Sequence, residues 1–296
     1  MRAAVVTSFG GPEAVRVDEV EVPEPGAGQV RIKVAATALN PVDVGLREGV
    51  FGGEGQTVGL GWDVAGTVDA GGAAAGWGAG DEVVALHHCM VKPLGAHAEY
   101  VVVPADAVAR APRTADAVHA ATLPLNALTA AQALDLLALP AGGSLLVTGA
   151  AGAVGGYAVQ LAAHRGITVT ALAREDDEEL VRSLGAAHFA GGRVEAGGFD
   201  AVLDAAVLGG RALAWVRDGG AYAGVIPGAE PAPERGVRVA AVEVVADGAR
   251  LAELVRLADE GVLTLRVAET YPLADVVKAH ARLAEGGVRG RLVLVP

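Results

Sequence analysis

A chain of 296 residues with 52 % hydrophobic and 20 % charged residues has the volume and the apolar content for one large folded domain or two ordinary ones, which excludes a disordered chain. Its 23 Lys+Arg against 35 Asp+Glu leave a formal charge of −12, so the surface repels phosphate backbones and gives no electrostatic footprint for nucleic acid or an anionic membrane. A single cysteine, Cys89, can make neither an internal disulfide nor a four-thiolate zinc site, and the cytoplasm is the expected compartment.

The N-terminus, from Met1 to Val6, lacks the long apolar stretch and small-residue cleavage pattern of a signal peptide and reads as a strand. Over the first hundred residues, short β-like runs (Ala3 to Thr7, Val30 to Ala36, Ala65 to Val68, Glu82 to Leu86, Ala98 to Val103) are separated by Gly, Pro and Asp. From about Ala120 the texture changes to apolar runs alternating with helix-length segments, the pattern of βαβ units on a parallel sheet. Strands are predicted at Ser144 to Thr148, Thr168 to Ala173, Ala201 to Asp204 and Gly220 to Val225, with helices at Gly152 to His164, Asp176 to Leu184 and Ala249 to Glu260. The chain closes with a helix, Leu273 to Glu285, and a strand, Gly290 to Val295, that can rejoin the β-rich first part. The uncharged run from Leu136 to His164 has the length of a membrane span, but Pro140 and its many glycines fit a strand, a glycine loop and a helix better.

The most specific chemical signal lies inside that run. The apolar strand Ser144 to Thr148 leads into Gly149, Gly152 and Gly155 at three-residue spacing, and then into an apolar helix. Strand, glycine loop and helix in that order are the context a dinucleotide fingerprint requires. Gly149 permits the tight turn, Gly152 lets the main chain approach a pyrophosphate without a Cβ, and Gly155 allows the helix to pack against the sheet. The helix start, Ala153 and Val154, offers N–H groups and a positive dipole end to the phosphates. No Gly-Lys-Ser/Thr ending follows, which disfavours a P-loop for ATP.

The second strand bears on the choice of nicotinamide cofactor. An Asp or Glu at its end would accept from a ribose diol, whereas this strand ends at Ala173 and Arg174, leaving room and a planar fork for a 2′-phosphate. NADPH is the expected cofactor. Arg174 can equally be a solvated loop residue, and the neighbouring Glu175, Asp176 and Asp177 oppose a phosphate.

Further segments resemble a known family in family order: Leu39 to Asp43, Gly61 to Val68, Gly80 to Val83, Ala98 to Tyr100, Leu123 to Leu125, Leu128 to Ala130, the glycine loop, Ser183 to Ala186 and Gly290 to Leu294. The chain resembles, over essentially its whole length, the zinc-independent quinone oxidoreductase branch of the medium-chain dehydrogenase/reductases. The resemblance implies an α/β protein: a β-rich GroES-like catalytic domain from residues 1–117 and 266–296, with a Rossmann doubly wound parallel-sheet domain, 118–265, inserted. It implies that Asn40, Thr129 and Gly224 lie toward the nicotinamide end of the cofactor, and that the protein forms homodimers through Rossmann edge strands. Asn40 can also be read as a turn residue holding local hydrogen bonds before Pro41.

The departures from the family also matter. Where zinc-dependent relatives carry a His-Glu pair this chain has Trp62 and Asp63, and no cysteine lies near Asn40, so no catalytic metal is expected. The run His87, His88, Cys89 contains zinc-ligating types, but adjacent residues on a strand point to opposite faces and do not converge easily. Gly45 and Phe51 stand near where relatives carry tyrosines, which leaves the proton donor unknown. The expected activity is hydride transfer from NADPH to a quinone or an α,β-unsaturated carbonyl acceptor. Two alternatives stay open: an enoyl reductase of a polyketide-type biosynthetic pathway, and a non-catalytic NADPH-binding sensor or scaffold.

Overall fold

The computed structural model describes every residue except Cys89. The chain forms two compact units, one from Met1–Leu125, Val245–Asp259 and Leu265–Pro296, the other from Asn126–Val244 and Glu260–Thr264.

The first unit opens with β1 (Arg2–Val6), β2 (Val15–Glu19), β3 (Gln29–Leu39), α1 (Pro41–Arg47), β4 (Val58–Gly59) and β5 (Asp63–Gly71). It continues through β6 (Glu82–Leu86), β7 (Tyr100–Pro104), β8 (Val108–Arg110) and the short α2 (Ala117–Ala120). In β3, Val30, Ile32 and Val34 are buried while Arg31 and Lys33 between them are not, the period-two alternation of a strand with one face on a core. That core also takes Val64, Val68, Val83 and Val101 from neighbouring strands. These β-branched residues suit a half-buried pleated surface, which is why this part of the chain folds as sheet.

The second unit holds most of α3 (Pro124–Leu137), then β9 (Ser144–Thr148), α4 (Ala153–His164), β10 (Thr168–Leu172), α5 (Glu178–Ser183) and β11 (His188–Ala190). After these come β12 (Phe199–Asp204), α6 (Gly210–Leu213), β13 (Val216–Gly224) and β14 (Arg238–Ala241). The strands form one six-stranded sheet in the order β11-β10-β9-β12-β13-β14, and every neighbouring pair is parallel. From Leu145 to Thr148, β9 is buried without alternation, as a central strand covered on both faces must be.

The chain then returns to the first unit through α7 (Gly248–Asp259), β15 (Val267–Pro272), α8 (Val276–Ala284) and β16 (Arg291–Val295). With them the larger sheet of this unit has seven strands: β15-β16-β3-β5-β6-β8, and β7 pairing β3; β2-β1-β4 form a separate sheet. The α/β architecture is thus a β-rich unit with an all-parallel, doubly wound sheet set into its sequence. The division differs from the expected one, because 118–125 and 245–259 pack with the first unit. The reason for the second segment is local. A Cβ on Gly248 would stand 2.5 Å from the carbonyl oxygens of Asp106 and Val108, and Asp259 accepts from the N–H groups of Arg113 (2.8 Å) and Thr114 (3.0 Å). Together these contacts dock α7 at both of its ends.

Among the described residues, no helix is long and apolar enough to cross a membrane. The uncharged run divides into the end of α3, β9, the glycine loop and α4.

Candidate dinucleotide-binding site

Sheet order places the site. The chain winds outward from β9 to β10 and β11 on one side, and from β12 to β13 and β14 on the other, so β9 and β12 are adjacent strands at the point where the order reverses. In open parallel sheets, ligands bind outside the carboxyl ends of the strands at this switch point.

β9 ends there on the glycine loop. Gly149 has φ +58°, the left-handed region where a glycine is favoured, and its carbonyl accepts from Gly152 N at 2.9 Å. Gly152 is the N-cap of α4 and contributes no side-chain cap, so the first-turn N–H groups of Ala153 and Val154 face no capping side chain. Gly155 is the tightest position: a Cβ there would overlap the Gly149 carbonyl oxygen and lie 2.9 Å from Ala150 Cα. The cradle therefore exists only because three positions lack a side chain, and it fits a pyrophosphate held by main-chain N–H groups.

Arg174 stands two residues beyond β10, exposed, with a guanidinium that makes no hydrogen bond or ion pair among the described residues. Glu175 and Asp176 beside it are exposed as well, and Ala173 occupies the position where a diol-binding carboxylate would stand. Gly224 ends β13 and is buried, in register with Asp204 on β12 and Ala241 on β14. Thr129 is buried on α3 in the same unit. The fold thus sets Gly149, Gly152, Ala153, Val154 and Gly155 after the end of β9, with Arg174 two residues beyond the neighbouring β10 and Gly224 ending β13, two strands away on the other side.

Asn40 belongs to the first unit. It is the N-cap of α1 with Pro41 at the first helical position, and its backbone N–H donates to Asp43 Oδ2 at 2.9 Å. Its side-chain amide donates to Asp63 Oδ2 at 2.6 Å, and Asp63 Oδ1 accepts from Leu125 N at 2.7 Å. Burial pushes the Asp63 carboxyl up to about 7, opposed by those two hydrogen bonds and by Arg291. Asp43 is buried too and accepts from Gly61 N at 2.7 Å. Sequence reasoning passed over both carboxylates as binding partners, although both sit in the motif segments singled out.

The buried Lys92 donates to the His87 carbonyl at 2.9 Å and lies 4.7 Å from the Trp62 ring centroid. Of the run weighed as a metal site, Cys89 lies outside the described residues; among those described, no three His, Asp or Glu side chains gather as a metal set. Phe51 packs on Gly45, where a Cβ would stand 2.8 Å from its ring.

Comparison with known proteins places the fold in a family. The alcohol dehydrogenase GroES-like domain family matches residues 26–113, and a family described as zinc-binding dehydrogenase matches 177–294. The chain is 33 % identical to 2-methylene-furan-3-one reductase of Solanum lycopersicum over 313 aligned positions, covering 100 % of this chain and 79 % of that one. It belongs to the medium-chain dehydrogenase/reductase superfamily, in the quinone oxidoreductase branch. A chloroplastic NADPH-dependent alkenal/one oxidoreductase of Arabidopsis thaliana is 39 % identical over 196 residues, 63 % of this chain and 51 % of that protein, so the match spans about half the length of this relative. The quinone oxidoreductase of Coxiella burnetii superposes with a TM-score of 0.88 at 27 % identity, covering 100 % of this chain and 99 % of that one. Both the β-rich unit and the parallel sheet are thus those of this superfamily.

Proposed function

We propose that this protein is an NADPH-dependent oxidoreductase that reduces quinones or α,β-unsaturated carbonyl compounds without a catalytic zinc ion. The observation that carries the reading is the glycine loop at the switch point, where Gly155 has no space for a Cβ and the start of α4 has no side-chain cap. The names of the relatives support the acceptor class.

NADPH, when bound, supplies a hydride. The chain's own residues would bind and orient it: the first turn of α4 would hold the pyrophosphate and Arg174 would pair with the 2′-phosphate, while the family resemblance assigns Asn40, Thr129 and Gly224 to the nicotinamide end. Orientation of this kind accounts for much of the rate in a two-electron transfer. The acceptor gains the hydride and one proton, giving a hydroquinone from a quinone or a saturated ketone from an enone. Without a metal, the oxyanion that develops would need hydrogen-bond donors or prompt protonation to stabilise it.

A zinc ion does not fit the residues beside Asn40. Both Asp63 oxygens already accept hydrogen bonds, from Asn40 and from Leu125, and Trp62 before it in sequence is not a zinc-ligating type. A homodimer through an edge strand of the parallel sheet, β11 or β14, completes the proposal, since both leave backbone groups to pair.

The test is oxidation of NADPH by the purified protein against a panel of simple quinones, linear enones and saturated aldehydes, with and without a chelator. Turnover of quinones or enones that the chelator leaves unchanged is the expected result. Turnover restricted to saturated aldehydes, or abolished by the chelator, would contradict it.

A further inference from the structure

Beside the glycine loop, Val207 adopts φ +55°, a left-handed conformation that a β-branched residue rarely takes, and its side chain is 44 % exposed. Such strain persists only where the surroundings over-determine the backbone. Here both flanks are pinned. Ala206 N donates to Thr148 Oγ1 at 3.0 Å, and Gly209 N donates to Asp204 Oδ2 at 2.9 Å.

The pins converge on one carboxylate. Thr148, having accepted from Ala206, donates its hydroxyl to Asp204 Oδ1 at 2.6 Å, and the Tyr222 hydroxyl donates to Asp204 Oδ2 at 2.8 Å. Asp204 is fully buried, and among the described residues its oxygens accept from Thr148, Gly209 and Tyr222. Burial, then the bond to Asp204, pushes the Tyr222 phenol above its ordinary value, so it stays a donor across the neutral range. The sheet does not need this cluster, because Thr148, Asp204 and Gly224 are already in register through the backbone ladder. What the ladder does not hold is the segment after β12. That segment lies against the glycine loop: Ala206 N and Cβ are 3.3 Å from where a Cβ on Gly149 would stand.

We propose that Asp204, Thr148 and Tyr222 are positioning residues that hold Ala205 to Gly209 as an apolar wall of the nucleotide site, with Val207 its contact to the bound cofactor. The inference rests on the cofactor reading given under Proposed function. It assigns the left-handed valine a purpose: exposed apolar surface at the switch point is covered when the ribose and base rings of a dinucleotide lie against it.

The experiment is fluorescence titration of NADPH on the wild-type protein, Val207→Gly, Tyr222→Phe and the double variant, with the thermal midpoint of each measured without nucleotide. Val207→Gly relieves the left-handed strain, so its midpoint is expected to rise while NADPH affinity falls roughly tenfold. Tyr222→Phe is expected to weaken NADPH as well, and the double variant to bind no more weakly than the worse single one, because both act through the same segment. Wild-type affinity in both single variants would overturn the inference and leave the cofactor reading standing. So would a Val207→Gly protein that loses stability and affinity together, or a double variant whose losses simply add. A wild-type protein that binds no NADPH would overturn the cofactor reading, and this inference with it.

Discussion

The side-chain amide of Asn40 donates to the buried carboxylate of Asp63 across 2.6 Å, tying the start of α1 to the start of β5. The second oxygen of Asp63 accepts from Leu125 N, so one carboxylate orients the residue that the family resemblance places at the nicotinamide. Burial, the largest influence, raises its ionisation to about 7.

That shift has a sign. The folded protein keeps a proton on Asp63 between about pH 4 and 7 that the unfolded chain releases, so this group's contribution to stability is present below about pH 4 and lost as pH rises through 7. Asp63→Asn has nothing to titrate there. Urea unfolding at pH 4.5 and 7.5 is expected to show the wild type losing more stability, or gaining less, than the variant over that interval. Equal pH slopes in the two proteins would remove Asp63 from the account.

His280 acts in the opposite direction. Burial first, then His97 and Arg47, lower its ionisation to about 3, and Arg47 Nη1 stands 3.3 Å from its Nδ1. The unfolded chain takes up a proton near pH 6.5 that the folded protein refuses, so this stability is present above 6.5 and lost as the solution is acidified toward 3. His280→Gln keeps an acceptor for Arg47 and cannot be charged. Its acid unfolding, followed by circular dichroism, is expected at lower pH relative to its own neutral stability than in the wild type; a parallel acid transition in both proteins would refute this.

Two glycines of the same loop are expected to fail differently. Gly155→Ala places a Cβ against the Gly149 carbonyl, which cannot move without the turn, and is expected to lower the thermal midpoint by several degrees. Gly152 has more room, its nearest obstacle being the Gly149 oxygen at 3.1 Å, so Gly152→Val is expected to fold yet lose both NADPH and NADH. Unchanged nucleotide affinity in Gly152→Val would show that the phosphates do not approach this turn.

Arg174→Ala is expected to weaken NADPH much more than NADH, because only the 2′-phosphate loses a charge-assisted partner. No existing contact of the guanidinium is broken by the change, so stability without nucleotide should hold. Equal losses for the two cofactors, read by titration, would place Arg174 outside the site.

The sequence made legible what depends on local pattern. An apolar run with glycines at three-residue spacing gave β9, its loop and α4 to within a residue, with Gly152 as the cap rather than the first helical residue. Missed elements had no pattern to see. From Pro124 to Leu134 nearly all of α3 is buried, so no polar face marks it as a helix, and β14 is a four-residue edge strand behind a long loop. The carboxylates were missed for another reason. Asp204 meets Thr148 across 56 residues, and Asp63 meets Asn40 across 23, so each role exists only once the sheets have formed.

Thermal unfolding of the purified protein with NADPH, with NADH and with neither, at matched concentrations, is the most direct measurement. A nucleotide present at about a hundred times its dissociation constant adds roughly 2.7 kcal/mol of stability. NADPH is expected to raise the midpoint clearly and more than NADH does. No shift with either nucleotide at millimolar concentration would contradict the reductase reading at its foundation, because the glycine loop and Arg174 would then hold no cofactor.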